Sequence, residues 1–251
     1  MKKVVLGTII VILLSCGVST MSHAKDALKD AIANLEKGWQ DLDTPLLEKV
    51  VKTFEEVAKK NPKDHLPPYY AAKTHFAIAD CLDIKSKENF DESGEGDNHI
   101  DTALDLIETS LGLKETSADT HILKFKLLRR KMFHVGFPGL MMHIASRNGA
   151  YNRAKELAPD SLTVQFLSAI QAAEGGYPPP PPEKSVAEFE KLLKKDPKMA
   201  DAYYEMGFIW ERAKKVDEAK KNYQKALEVN PTHHWSMKKL KDLTGGAAKG
   251  T

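Results

Sequence analysis

Residues 202–231 read AYYEMGFIWERAKKVDEAKKNYQKALEVNP. The run is highly charged, yet its Gly, Ala, aromatic and Pro residues fall at regular offsets. It holds no glycine-rich phosphate loop, no isolated pair of acids and no metal-ligand spacing, so whatever it does must come from shape. The same ending recurs along the chain: Pro62, Pro159, Pro197 and Pro231 close the segments FEEVAKKNP, YNRAKELAP, FEKLLKKDP and YQKALEVNP. Eight residues before each proline stands an aromatic (Phe54, Tyr151, Phe189, Tyr223), and five before it a smaller apolar residue (Val57, Ala154, Leu192, Ala226). An aromatic and an apolar residue three apart share one helical face, and the proline ends the helix.

The last two of these prolines are 34 residues apart. That period resembles the tetratricopeptide repeat, and the residues inside it agree. Tyr203 resembles the first aromatic position, Met206-Gly207 the Leu-Gly pair, Trp210 the next aromatic, and Ala219, Tyr223, Ala226 and Pro231 the small, aromatic, small and terminating positions. The resemblance implies that Gly207 and Ala219 let two antiparallel helices approach closely. Tyr203, Trp210 and Tyr223 then fill the space between those helices and the neighbouring hairpin.

Earlier units are looser. A hairpin is expected from 161–176 with 185–197, interrupted by YPPPPP at 177–182, which should stand out as a stiff polyproline spur. A second joins 121–139 to 140–159, broken at Gly136-Phe137-Pro138-Gly139; Lys126 stands there in place of a small residue, so the unit is degenerate. Before it, 66–84 and 99–113 pair around a polar, acidic insert at 85–97, read as a mobile loop. The first pair is 26–40 with 44–60, and HHWSMKKLKDL after Pro231 makes a terminal helix whose Trp235 and Leu240 cover the open end of the stack. The expected fold is therefore all-α: an antiparallel helix-hairpin solenoid of about five hairpins with a C-terminal capping helix, occupying 25–244 and followed by a flexible tail at 245–251. The proline-rich loop is placed at 176–183. The order of segments over roughly 44–240 is also similar to exported bacterial repeat proteins of unassigned function.

The N terminus, MKKVVLGTIIVILLSCGVSTMSHAKD, pairs Lys2 and Lys3 with an apolar core from Val4 to Leu14, too short to span a bilayer and typical of an export signal. Two cleavage sites compete. Ser22-His23-Ala24 would make 1–24 a removed signal peptide and Lys25 the first residue, whereas LLSC resembles a lipobox that would leave Cys16 acylated and outer-membrane-tethered. Both readings put the body in a bacterial periplasm. Loss of Lys2 and Lys3 lowers Lys+Arg from 37 to 35 against 35 acids, so no basic surplus argues for nucleic acid, and membrane contact is expected only through a lipid on Cys16. Cys81 is then the one thiol of a soluble form and reads as a small buried residue.

Chemistry is scarce. The nine histidines make no HExxH or similar spacing. Met132, His134, Met141, Met142 and His143 gather around one turn, a set that suits Cu(I), although methionines at a helix junction more simply fill gaps. DESGEGDN lacks the spaced acids of a calcium loop. No nucleophile motif appears, and neither enzyme activity nor a cofactor is expected. In tetratricopeptide folds the first helix of each hairpin lines a concave groove. Carried across, that implies a peptide-binding face from Tyr204, Phe208, Glu211 and Arg212, with Phe166 and Ile170 in the preceding repeat and Tyr69, Lys73 and Phe76 in the second. The expected function is an exported scaffold that binds a protein or peptide partner. The alternative is a periplasmic solute-binding component associated with a transporter.

Overall fold

The computed structural model describes residues 26–86, 93–132, 137–176 and 178–245, and among them every regular element is a helix. Helix α1 covers 26–40 and α2 Thr44–Lys60, α3 covers Leu66–Lys85 and α4 Glu95–Leu113. They are followed by α5 (Ala118–Lys131), α6 (Phe137–Leu157), α7 (Leu162–Glu174), α8 (Pro182–Leu193), α9 (Ala200–Arg212), α10 (Val216–Val229) and α11 (His234–Gly245). The chain divides into two compact units, Met1–Thr116 and Ser117–Thr251.

Each unit is a row of hairpins built from amphipathic helices. Helix α2 illustrates the local logic. Asp43 accepts a hydrogen bond from the Leu46 amide at 3.0 Å, proline stands in the first turn where no N–H is missed, and Lys59 and Lys60 face the negative C-terminal end. Its buried stripe, Leu47, Val50, Val51, Phe54 and Val57, follows the helical period. In the first unit that stripe meets Ala31 and Leu35 of α1 on one side and Ala71, Ile78 and Cys81 of α3 on the other. Helix α3 packs against both α2 and α4 and is buried on nearly every face. Cys81 lies in that interior, where burial pushes its thiol up to about 11, so it is an inert packing group.

In the second unit one cluster runs without a break through Phe125 of α5, Ala154 of α6, Leu167 of α7, Phe189 of α8 and Met206 of α9. Helix α6 packs on α7, α8 on α9 and α10 on α11, so each hairpin covers the apolar side its predecessor leaves open. The proline-anchored pattern is the core of both units: Phe54, Phe189 and Tyr223 are 0% exposed, and Val57, Ala154, Leu192 and Ala226 are buried beside them. Tyr151 is half-buried and packed against the second cluster.

Three segments differ from expectation, the first being the break expected at 136–139, whose residues 137–139 open α6. Residues 95–97 of the polar insert are helical: Gly94 at φ 79 turns the chain into α4, and the Ser93 hydroxyl accepts from the Glu95 amide at 3.1 Å. Residues 87–92 lie outside the described set. The proline run is shorter as a spur, because Pro182 opens α8, a position where its missing N–H is harmless; Pro181, at φ −53 and ψ 141, keeps polyproline geometry. Tyr177 and 246–251 are outside the described residues.

Helices α9 and α10 approach closely at Gly207. A Cβ built there would stand 2.6 Å from Cε1 of Tyr223, a side chain with no room to retreat. Gly149, inside α6, has nothing within 4 Å of the same atom. Gly149→Ala is therefore expected to stabilise by about 0.5–1 kcal/mol through helix propensity, whereas Gly207→Ala is expected to destabilise by about 1–2 kcal/mol, overpacking outweighing that gain. Urea denaturation of the two variants beside the wild type checks the opposite signs.

Candidate functional site

Helix α9 has two working faces. Ala202, Glu205 and Met206 point into the second unit, while Tyr204, Phe208 and Arg212 are only partly covered. Tyr204 and Phe208 stack with ring centres 6.5 Å apart and 15° between planes, and Tyr204 also touches Tyr223 (5.7 Å) and His233 (5.4 Å). Two cations sit over Phe208: Arg212 at 6.0 Å and Lys239 of α11 at 5.7 Å. Glu211 accepts from the Tyr223 hydroxyl at 2.6 Å and from Lys239 at 3.0 Å. Burial first, and the bond to Glu211 second, hold the Tyr223 phenol far above its ordinary range, so it remains a donor. Just ahead of α11, His233 Nδ1 accepts from the Ser236 amide at 3.2 Å, which leaves Nε2–H to donate to Asp201 at 3.1 Å.

The four groove residues expected in the last repeat thus come together, with distinct roles. Tyr204 and Phe208 form a ring platform. Glu211 is a tether for α10 and α11, and Arg212 is the exposed charge at the platform's edge. Phe166 and Ile170 are placed differently: both are in the core, Phe166 edge-on to Phe189 at 5.8 Å, because the inward stripe of α7 runs through Val164, Phe166, Leu167 and Ile170. In the first unit Tyr69, Lys73 and Phe76 are half-buried at i, i+4 and i+7 of α3. There Tyr69 meets Tyr70 edge-on at 5.0 Å, and Lys73 reaches Glu36 of α1 at 2.7 Å. The terminal helix turns Ser236 and Lys239 inward and leaves Trp235 and Leu240 half-buried.

Sequence reasoning missed a buried charge network on α5, α6, α7 and α9. Arg129 makes a two-pronged pair with Glu205 (2.6 and 2.9 Å) and reaches Glu174 at 2.7 Å. Arg147 donates to Glu174 at 2.6 Å and Gln171 at 3.1 Å, stands over the Phe125 ring at 5.4 Å, and Gln171 extends the chain to Asn148 at 3.0 Å. Burial alone would lower the Arg129 pKa; the Glu205 and Glu174 carboxylates more than reverse this and fix the charge. One signal was present: Glu205 lies three residues after Ala202 and one before Met206, on the apolar stripe. Removing the cation should cost about 3–5 kcal/mol, the usual result of stranding a buried carboxylate. Arg129→Met is expected to fall in that range in chemical denaturation, and Arg129→Met/Glu205→Met to recover at least half, since Glu174 keeps Arg147.

Histidines distant in sequence also meet. In the first unit His75 of α3 and His99 of α4 place their Nδ1 atoms 2.7 Å apart. Burial, then the neighbouring His99, lowers His75 to about 4, and burial lowers His99 against the pull of Glu95 and Glu48. Of the methionine–histidine group, Met141 and Met142 are exposed and His134 lies outside the described residues. Among the described residues no group of three or more His, Cys, Asp or Glu could hold a metal, and no helix is long and apolar enough to cross a membrane. A histidine charged below pH 6.5 when unfolded and only near 4 when folded contributes stability that is complete above pH 6.5 and is lost as the pH falls towards 4. Urea titrations at pH 7 and 5 should show about 1 kcal/mol more acid loss in the wild type than in His75→Gln, allowing for solvent screening.

Paired helices, an aromatic turned to the core from α2, α6, α8 and α10, and a partly open face on α9 define a helical-repeat fold. Residues 200–233 match the tetratricopeptide repeat family. A thermophilic tetratricopeptide-repeat protein of Thermus thermophilus is similar in structure, with a TM-score of 0.64 at 14% identity over 88% of this chain and 98% of that one. Human IFIT1, solved as a dimer with PPP-AAAA, gives a TM-score of 0.58 at 14% identity over 90% of this chain and 46% of the human one, so this chain spans less than half its length. At such identities the likeness is one of fold. No curated protein matches the sequence. The family match thus covers one repeat, 200–233, and the likeness over most of the chain shows a helical-repeat fold of the tetratricopeptide type.

Proposed function

We propose that this protein is an exported scaffold of the bacterial envelope that captures an extended peptide segment of a partner on the outer face of α9. The observation that carries this reading is the Phe208 ring, stacked on Tyr204 and flanked by Arg212 and Lys239. A flat ring accepts an apolar or aromatic side chain, and an exposed guanidinium pairs with a carboxylate on the same peptide. Lys239 is engaged by Glu211, so Arg212 is the residue that sets charge preference. Export rests on the Lys2–Lys3 start, the apolar core and the two cleavage signals. Intact mass of the mature chain reads the start as Lys25 or as an acylated Cys16.

A library of immobilised peptides varied in charge and aromatic content tests the face. Phe208→Ala is expected to weaken the best binders by about tenfold, and Arg212→Glu to turn preference from acidic to basic peptides. Unchanged binding and unchanged charge preference in both variants, with circular dichroism showing them folded, would remove α9 as the site.

A further inference from the structure

The terminal helix is packed unlike its neighbour. Helix α10 encloses Ala219, Tyr223 and Ala226 beside Asn222, whereas the residues α11 encloses are Ser236, Lys238 and Lys239. The larger apolar side chains of α11 are less covered: Trp235 and Leu240 are half-buried and Met237 is 40% exposed. The Ser236 hydroxyl is shut in with no hydrogen-bond partner, which works against docking of the helix. Twelve residues make a helix that is marginal in water by itself, so α11 depends on what it touches.

Two polar ties hold it to α9. At its start, His233 Nδ1 caps the helix by accepting from the Ser236 amide at 3.2 Å, and Nε2 meets Asp201, in the first turn of α9, at 3.1 Å. Six residues on, Lys239 donates to Glu211, near the end of α9, at 3.0 Å. Both ties bring a side chain onto the ring platform. The His233 ring stands 5.4 Å from that of Tyr204, and the Lys239 ammonium stands 5.7 Å from the centre of Phe208. The helix and its cap therefore lie against the same two rings that a captured peptide would use.

We propose that α11 is a displaceable strap over the α9 platform, which swings away when a peptide is captured; this rests on α9 being the capture face. Lifting it uncovers little apolar surface, relieves the unpaired Ser236 hydroxyl, and returns Asp201, Glu211 and Lys239 to water. Helix α10 has no such freedom, because Tyr223 is enclosed against Gly207. Apparent affinity is then the intrinsic affinity multiplied by the fraction of molecules with α11 lifted. Loosening α11 strengthens capture, whereas damage to a merely supporting helix weakens it.

The test uses the full chain, with the tightest-binding member of the charged and aromatic peptide library as probe. Hydrogen exchange of the free chain should be faster in α11 than in α9 and α10, faster still in His233→Ala, and slower in Ser236→Ala, which removes the unpaired hydroxyl. In binding, His233→Ala should gain about threefold or more and Ser236→Ala should lose about as much. Equal protection of α10 and α11, or binding by His233→Ala that is unchanged or weaker, would overturn the strap. Should His233→Ala fail to fold, Ser236→Ala decides, since unchanged or tighter binding there overturns it too. Phe208→Ala separates the two readings. If it leaves binding intact, the capture face is wrong and the strap falls with it; if it weakens binding while the α11 variants behave as wild type, the strap alone falls.

Discussion

Tyr223 has no exposed surface, lies against the bare backbone of Gly207 and donates its phenol proton to Glu211. Those two contacts bind α10 to α9 at a separation that any larger residue at 207 would prevent. They also determine what α9 can offer outward. With Tyr223 in place, Tyr204 is propped from beneath and Phe208 is held parallel to it; with Glu211 occupied, Lys239 is drawn from α11 over the same ring. The aromatic eight residues before each proline plays the matching part in the other hairpins, where Phe54 and Phe189 are equally enclosed. Packing of this kind is why a helix pair too small to bury its own apolar stripe becomes stable when a neighbour covers it.

The charge network of the second unit obeys a different rule. Two arginines and two carboxylates inside a helical array are costly to desolvate, and paired salt bridges there are weak evidence for stability. Their geometry points to register. Arg129 on α5 binds α7 and α9 at once, and Arg147 on α6 binds α7 from the other side. A two-pronged guanidinium tolerates little sliding, so these contacts hold successive first helices at one offset where apolar side chains alone would permit several. The outer face of α9 inherits that precision, because Glu205 is anchored one residue from Tyr204.

Much of the molecule was legible beforehand. The hairpin boundaries of 26–40 and 44–60 agree with the helices found; most of the others differ by a few residues at their ends, but 121–139 overruns α5, which stops at Lys131. Helical periodicity and terminating prolines are local signals, and local signals survive in a one-dimensional string. The misplacements have physical causes. Pro182 ends a run of prolines that reads as a spur, yet it opens α8, because the first turn of a helix accepts proline. Repeat position points Phe166 and Ile170 into a groove, but the stripe of α7 that faces α8 includes them both. Repeat position gives the helix; which of its faces is buried depends on the neighbour's side chains.

What the sequence alone determined is the alternation of helix and stop, and the aromatic and small residues of the proline-terminated hairpins. Those properties need only the chain's own covalent geometry and the separation of oily from polar residues along about 3.6 residues per turn. Only the tertiary structure decided which charges are enclosed, that His75 and His99 meet across 24 positions, and that α11 lays Lys239 across Phe208. Contacts between residues far apart in the chain depend on the angle and offset at which helices stack, and these are set by all the packed side chains together rather than by any stretch of them.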